Sequence, residues 1–478
     1  MKNSFLSIFT MVAAMGASAL AQEIAATKPN IIFILTDDQG FGDISAHGNP
    51  ILKTPNLDRL HRESVRFNDF HVSPTCAPTR SALLSGRHEF KNGVTHTIIE
   101  RERMSLRTVT IAQVLKTSGY TTGIFGKWHL GDEDAYQPDR RGFDEVFIHG
   151  AGGIGQSYAG SCGDAPGNKY MDPFIKHNGK FQKTSGFCTD VFTSEALRWI
   201  ESVKDTQPFF CYIPLNAPHG PLSCPPEYSL PYQDKVKPDE AIYFGMVANI
   251  DANVGRVLAK LEEWKLDQKT LVIFMNDNGG TVGCKIFNAG MKGNKGTAWE
   301  GGTRASSLWR WPGVLKPADV NHLTAHIDVF PTFTGLAKAT LPDKLKAQVE
   351  GRSLMPLLSN PEASWPDRHF VTHVGRWPND GAKAGKYGNS AGQTSIRNNR
   401  YSLVHGKAGW ELYDLKADPG QEKEIAVQHP ALVKELSGAY DQWWVDVLPH
   451  LENEEAWKTA PAVNSFKEQF QKQFGAIQ

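Results

Sequence analysis

The chain has 478 residues, 40% of them hydrophobic and 21% charged, with 51 basic and 51 acidic side chains. This composition is globular, and the length allows two to three domains or one large α/β domain with an appendage. The balanced charge excludes a global field that would gather nucleic acid or an anionic membrane, so any recognition of an anion has to be local.

The first segment, MKNSFLSIFTMVAAMGASALAQ, has a positive start at Lys2, an apolar run from Phe5 and a small-x-small cleavage site at Ala19-Leu20-Ala21. These features predict a signal peptide over residues 1–21 and export to the periplasm or the medium. The apolar run is short and no second one follows, so the mature chain is expected to have no membrane span. No cysteine follows the cleavage site, which argues against a lipid anchor.

NIIFILTDD (30–38) is a continuous apolar run of the kind a strand buried on both faces requires. In SPTCAPTRSALLSGR (73–87), Pro78 fixes the backbone and places Cys76 just ahead of a helix, with Arg80 one turn on. TVTIAQVLKTSGY reads as a helix closing at Gly119, and TTGIFGKWHLG as the next strand. Arg140 and Arg141, ahead of GFDE, read as structural. GAGGIG (150–155) fits the G-x-G-x-x-G spacing, but QSYAGSCGDAPG after it is no helix, so a loop near the cleft is predicted and not a dinucleotide site. VFTSEALRWIESV and YFGMVANIDANVGRVLAKLEEWKL have helical apolar spacing, and QPFFCYIPLNAPH is a strand running into a loop. LVIFMNDNGG (271–280) repeats the form of the first buried strand.

After about Lys346 the segments HFVTHVG, QTSIRNNRYSLVHG and WELYDLKADPG are short and punctuated by turns, and PALVKELSGAYDQWWVDVL is helical. The predicted class is α/β: a large mixed, mainly parallel sheet sandwiched by helices, with a smaller C-terminal antiparallel sheet plus helix. The predicted boundaries are 22–345 for a catalytic domain and 346–478 for an α+β subdomain packed on it. Among the six cysteines, Cys162 with Cys188 and Cys211 with Cys224 are plausible bridges by proximity, though spacing alone leaves the connectivity open.

The two buried strands end alike, in Asp37-Asp38 and in Asp277-Asn278. Ligands gather at the carboxyl ends of strands in open α/β sheets. Carboxylates with an amide oxygen suit Ca²⁺ or Mg²⁺, whereas Zn²⁺ recruits histidine or cysteine. Cys76 at a helix start feels the helix dipole and unpaired N–H groups, and Arg80 can turn its guanidinium toward the same spot.

Cys76, Pro78, Arg80, Gly86 and Arg87 together match C-x-P-x-R with a downstream G-R, and here the chain resembles the type I sulfatases of the alkaline phosphatase superfamily, in particular exported bacterial carbohydrate sulfatases. TDDQG, GKWHLG, APHGP, NDNGG, KGTAWEGGTR, HIDVFPTF and ELYDLKADPGQ fall in that family's order. The resemblance implies that Cys76 is oxidised to Cα-formylglycine by a formylglycine-generating or anaerobic sulfatase-maturating enzyme. It implies one Ca²⁺ held by Asp37, Asp38, Asp277, Asn278 and an oxygen of modified Cys76. It further implies that Arg80 steadies the nucleophile while Lys127, His129, His219 and Lys295 surround the sulfate of a sulfated carbohydrate. His149, Arg376 and Trp377 lie in loops able to border that site, but read first as surface or packing residues. The competing readings are a phosphomonoesterase or phosphonate hydrolase of the same superfamily, and a non-catalytic exported glycan-binding protein.

Overall fold

A computed structural model describes residues 28–378, 385–460 and 463–475. The predicted signal peptide lies outside the described residues. No helix among the described residues is long and apolar enough to cross a membrane.

The main sheet is built from β1 (Asn30–Thr36), β2 (Val65–Phe67), β4 (Thr121–Lys127), β5 (Glu145–His149), β6 (Phe174–His177), β7 (Lys180–Lys183), β8 (Phe209–Pro214), β9 (Thr270–Asn276), β10 (Ser307–Arg310) and β11 (Ala318–Val320). Their order across the sheet is β11-β2-β10-β9-β1-β8-β4-β5-β6-β7. The five central strands β9, β1, β8, β4 and β5 run parallel, and antiparallel pairs flank them on both sides. Two further short strands, β3 (Phe70–His71) and β12 (Thr324–Ala325), pair with each other beside it. This is the mixed, mainly parallel sheet that the apolar runs predict.

β1 shows why those runs carry no alternation. Ile31, Phe33 and Leu35 face one core, and Ile32 and Ile34 face another; all five are at most 3% exposed. The first core is closed by α2 (Cys76–Ser85), α3 (Ile111–Thr117) and α6 (Val329–Leu336). The second is closed by α1 (Pro55–Arg62), α4 (Cys188–Val203) and α5 (Pro238–Glu263). Each fully buried Leu, Ile or Phe contributes about 1.5–3 kcal/mol relative to exposure. α3 begins with a capping box between Thr110 and Gln113 and ends before Gly119, whose φ of 88° is left-handed.

The C-terminal sheet pairs β13 (Phe370–His373), β14 (Thr394–Arg397), β15 (Tyr401–His405) and β16 (Trp410–Asp414), all antiparallel. α7 (Pro430–Val447) packs Leu436, Tyr440 and Trp444 onto Ile396, Leu403 and Leu412 of that sheet. α8 (Ser465–Phe474) returns to the main sheet and buries Phe466 and Phe470 beside Phe181.

Two local expectations need correction. All six cysteines are free thiols, so neither Cys162–Cys188 nor Cys211–Cys224 is a bridge. Cys188 opens α4 and Cys211 sits mid-strand in β8, both sealed in the second core. Cys162 lies in a buried loop, and Cys224 packs against Gly245 of α5, so proximity in sequence is not proximity of sulfur atoms. Cys76 is the first residue of α2, one position further in than its proline predicts. The first four helical N–H groups have no partner within the helix, so Pro78 is tolerated at the third position.

Candidate active site

Parallel pairing of β1 with β8 and β9 brings their carboxyl ends together, and the ladder continues past the strands. The Asp277 N–H donates to Thr36 O (3.0 Å), and the Asp37 N–H to Ala217 O (3.1 Å). Asp38 takes a left-handed φ of 69°, which Asp tolerates better than most residues. Its N–H donates to Asp277 Oδ1 (3.3 Å), and Tyr243 from α5 donates to both Asp38 O (2.8 Å) and Asp43 Oδ2 (2.7 Å). Asp37, Asp38, Asp277 and Asn278 thus converge in one buried nest.

Three cations close on it. Arg80 donates through Nη2 (2.9 Å) and Nε (3.2 Å) to Asp277 Oδ2, and its remaining N–H groups reach the carbonyls of Lys127 (3.2 Å) and Leu215 (3.3 Å). Lys127, the last residue of β4, places Nζ 2.5 Å from Asp37 Oδ2. Lys295 places Nζ 2.5 Å from Asp38 Oδ1, and His219 Nε2 lies 3.9 Å from Asp38 Oδ2. Burial pushes Asp37 and Asp277 up to about 7, against Lys127 and Arg80 respectively. For Asp38, burial is outweighed by Lys295 and His219, which hold its carboxyl below the usual range. For Cys76, burial is outweighed by Lys127 and Lys295, and the thiol stands below its ordinary value.

The donor set fits a hard cation. Asp37 Oδ1 and Asn278 Oδ1 are buried and have no hydrogen-bond partner among the described residues. A ligand atom each from Asp37, Asp38 and His219 lies within 4.8 Å of the others. Orphaned oxygens of this kind cost about 1–3 kcal/mol apiece unless something satisfies them. Three carboxylates and an amide oxygen are ligands for Ca²⁺ or Mg²⁺.

The two histidines have tautomers set by backbone carbonyls, which only accept. His129 Nε2 donates to Thr97 O (2.7 Å), leaving Nδ1 as a lone pair without a partner among the described residues. His219 Nδ1 donates to Gly220 O (2.6 Å), leaving Nε2 to face Asp38. His129 is sealed, whereas the side chains of His219 and Lys295 are 14% and 15% exposed, so the site opens past these two. The GAGGIG loop covers both rings: a Cβ on Gly153 would meet His219 Nδ1 at 2.9 Å, and one on Gly152 would meet His129 Cε1 at 3.4 Å.

The cluster therefore unites Cys76, Arg80, Lys127, His129, His219, Lys295 and the four strand-end oxygen ligands. Trp377 takes the packing role: it sits in the core of the C-terminal sheet, with Arg101 stacked on its ring. Arg376 donates to Thr97 Oγ1 (3.1 Å), next to the carbonyl that holds His129. Arg141 is structural, donating to the carbonyls of Ser105 (3.1 Å) and Thr108 (2.8 Å). His149 ends β5 opposite Lys127, with both ring nitrogens buried and unpartnered among the described residues. Asp43 was missed by sequence reasoning; it accepts from Gly40 N (2.8 Å) and Tyr243, and burial pushes it up to about 6. The repeated acidic residue in TDDQGFGD was the available signal.

The Sulfatase family profile matches residues 29–339, and a second profile, N-sulphoglucosamine sulphohydrolase, C-terminal, matches residues 294–439. Arylsulfatase G of Mus musculus is 32% identical over 449 residues, covering 84% of this chain and 81% of that protein. Arylsulfatase J of Mus musculus is 29% identical over 467 residues, covering 88% and 77%. The crystal structure of Ps i-CgsB in complex with k-i-k-neocarrahexaose superposes with a TM-score of 0.79 at 27% identity, covering 94% of this chain and 100% of that one.

Proposed function

Because the chain belongs to the sulfatase family and is a sulfuric ester hydrolase, we propose that it is exported and removes sulfate from a carbohydrate, using a formylglycine made from Cys76 and one Ca²⁺. The observation that carries this reading is the meeting of Cys76 with Lys127, Lys295 and a nest whose Asp37 and Asn278 oxygens lack partners. A sugar substrate is supported by the neocarrahexaose bound to Ps i-CgsB. Export rests on the sequence of residues 1–21. Catalysis is assigned to residues 22–345, with 346–478 as a subdomain packed on them.

Asp37, Asp38, Asp277 and Asn278 would hold the Ca²⁺, which when bound supplies positive charge for the sulfate oxygens. The hydrated aldehyde of modified Cys76 would supply one hydroxyl to attack sulfur and a second whose deprotonation releases sulfate. Arg80 anchors Asp277 and fixes the floor beneath that nucleophile. Lys127, fully buried, and Lys295, at the opening, are held at fixed positions by Asp37 and Asp38, where preorganised charge stabilises a transferring sulfuryl group. Lys295, at the open side, protonates the departing sugar oxygen, as does His219 when both of its ring nitrogens carry a proton. His129 presents an unprotonated Nδ1, the form a base requires to take the proton of the second hydroxyl. Burial, followed by the charge of Lys127, holds His129 well below its ordinary value and keeps it neutral.

The test is sulfate release, read by ion chromatography, from a panel of sulfated polysaccharides, oligosaccharides and monosaccharides. Release from a sulfated sugar is the expected result. Turnover of a phosphate or phosphonate ester, with no sulfate released from any glycan, overturns it.

A further inference from the structure

A large cavity lies away from the candidate active site. It is a groove of about 1010 Å³ lined by Lys28 ahead of β1, Arg87 after α2, Arg107 ahead of α3, and Lys338 and Lys344 after α6. These five cations come from four separate stretches of chain and converge on one hollow. No aspartate or glutamate lines it, in a chain with equal numbers of acids and bases. Val114 and Leu345 contribute to an apolar floor.

Two of these cations are held by uncharged groups and one by an acid. Arg107 pairs with Glu452 at the rim. Arg87 is held by neutral partners, donating to Asn92 Oδ1 (2.7 Å) and Thr108 Oγ1 (2.9 Å). Lys28 donates to the carbonyl of Ser118 (2.9 Å). His450, which also lines the groove, is depressed by burial and then by Arg87 and Lys91.

The groove lies at the end of the sheet opposite the candidate site. Lys28 precedes β1, whose seven residues span about 23 Å before Asp37. Cys76 opens α2 and Arg87 follows its end, so ten helical residues, about 15 Å, separate them. A monosaccharide sulfate in the active site cannot touch both. A polymer with many sulfates can, by folding back or by presenting a second chain.

We propose that this groove is a second, non-catalytic binding site for a sulfated polysaccharide, its cations taking sulfate groups and its apolar floor taking sugar faces. The proposal rests on the sulfated-carbohydrate reading of the active site. Holding the polymer at a second point raises the effective concentration of its other sulfates at the catalytic centre without new catalytic contacts. The advantage therefore applies to polymers, disappears for small esters, and weakens as salt screens the charges.

The test compares the full chain with a Lys28→Ser/Arg107→Ser/Lys344→Ser variant, three exposed positions outside the catalytic cluster. Each is also made with Cys76→Ala and run by affinity electrophoresis through gels containing carrageenan, desulfated carrageenan or single-stranded DNA. The expected result is retardation by carrageenan alone, lost in the triple variant. With Cys76 present, the variant should raise KM for the polymer about tenfold, from three exposed charge contacts, while kcat and KM for a sulfated monosaccharide stay unchanged. Equal retardation of both proteins, or equal retardation by DNA, overturns the proposal. Retardation needs no turnover: a chain that binds carrageenan through the groove but hydrolyses no sulfate refutes the active-site reading alone. Hydrolysis with an unchanged polymer KM refutes the groove alone.

Discussion

Cys76 owes its chemistry to its neighbours, since it is 2% exposed and has no disulfide partner. The same holds for His129, whose Nε2 is committed to Thr97 O and whose Nδ1 is left to act. If His129 takes the proton that releases sulfate, its loss should spare the first half of the reaction. His129→Asn is expected to give a burst of one alcohol per site, followed by turnover slowed about 10²–10⁴-fold. A stopped-flow trace with slow, burst-free product formation would refute that role. The four strand-end ligands make a separate prediction. Chelation should lower the melting temperature and abolish turnover, and Ca²⁺ should restore both, because a ligand at a hundredfold excess over its Kd stabilises by about 2.7 kcal/mol. Differential scanning calorimetry with and without chelator reads this directly, and an unchanged transition would contradict a resident cation.

At the scale of elements, the site depends on where strands stop. Gly126 has φ 142°, and a Cβ there would lie 2.1 Å from the carbonyl oxygen of Pro214, at the seam between β4 and β8. Gly126→Ala is therefore expected to push β4 outward and displace Lys127, lowering both the unfolding midpoint and kcat in chemical denaturation and initial-rate assays. α2 is followed by Glu89, whose carboxyl is buried between His88 (3.6 Å) and His326 (3.9 Å). Burial acts to raise its pKa, but the two histidines outweigh it and bring it down to about 2. A folded value below the unfolded one, near 4.5, means stability that is present above pH 4.5 and lost as pH falls toward 2. That contribution is about 3 kcal/mol. The gap in unfolding free energy between the parent and Glu89→Gln should shrink over that window, and a gap independent of pH would refute the assignment.

These elements also mark what was legible beforehand. Apolar runs of seven residues ending in polar groups read as central strands, and β1 and β9 are so placed. Helix period and the closing Gly119 identified α3. Long-range partners were not legible. The free thiols of Cys162, Cys188, Cys211 and Cys224 follow from which face of which element each occupies, and Trp377 was drawn away by the core under α7. The unpartnered Nδ1 of His129 and both ring nitrogens of His149, unpartnered among the described residues, depend on carbonyls and loops from elsewhere in the chain.

For the whole molecule, a net charge of zero conceals segregation: a mostly buried cluster of acids and cations at one end of the sheet, and a basic groove lined by no acid at the other. The C-terminal segment reaches both regions: Pro449 and His450 line the groove, α8 packs on the sheet edge through Phe466 and Phe470, and Asn464 donates to Asp132 (2.7 Å) in the loop after Lys127 and His129. The function proposed for this assembly stands or falls on one residue. The decisive measurement is sulfate release from a sulfated glycan by protein whose 73–87 peptide has been shown by mass spectrometry to carry formylglycine at position 76, beside Cys76→Ala. The account predicts multiple turnovers by the matured protein and none by the variant. Equal release by both, or turnover by protein whose Cys76 is an unmodified thiol, would contradict it.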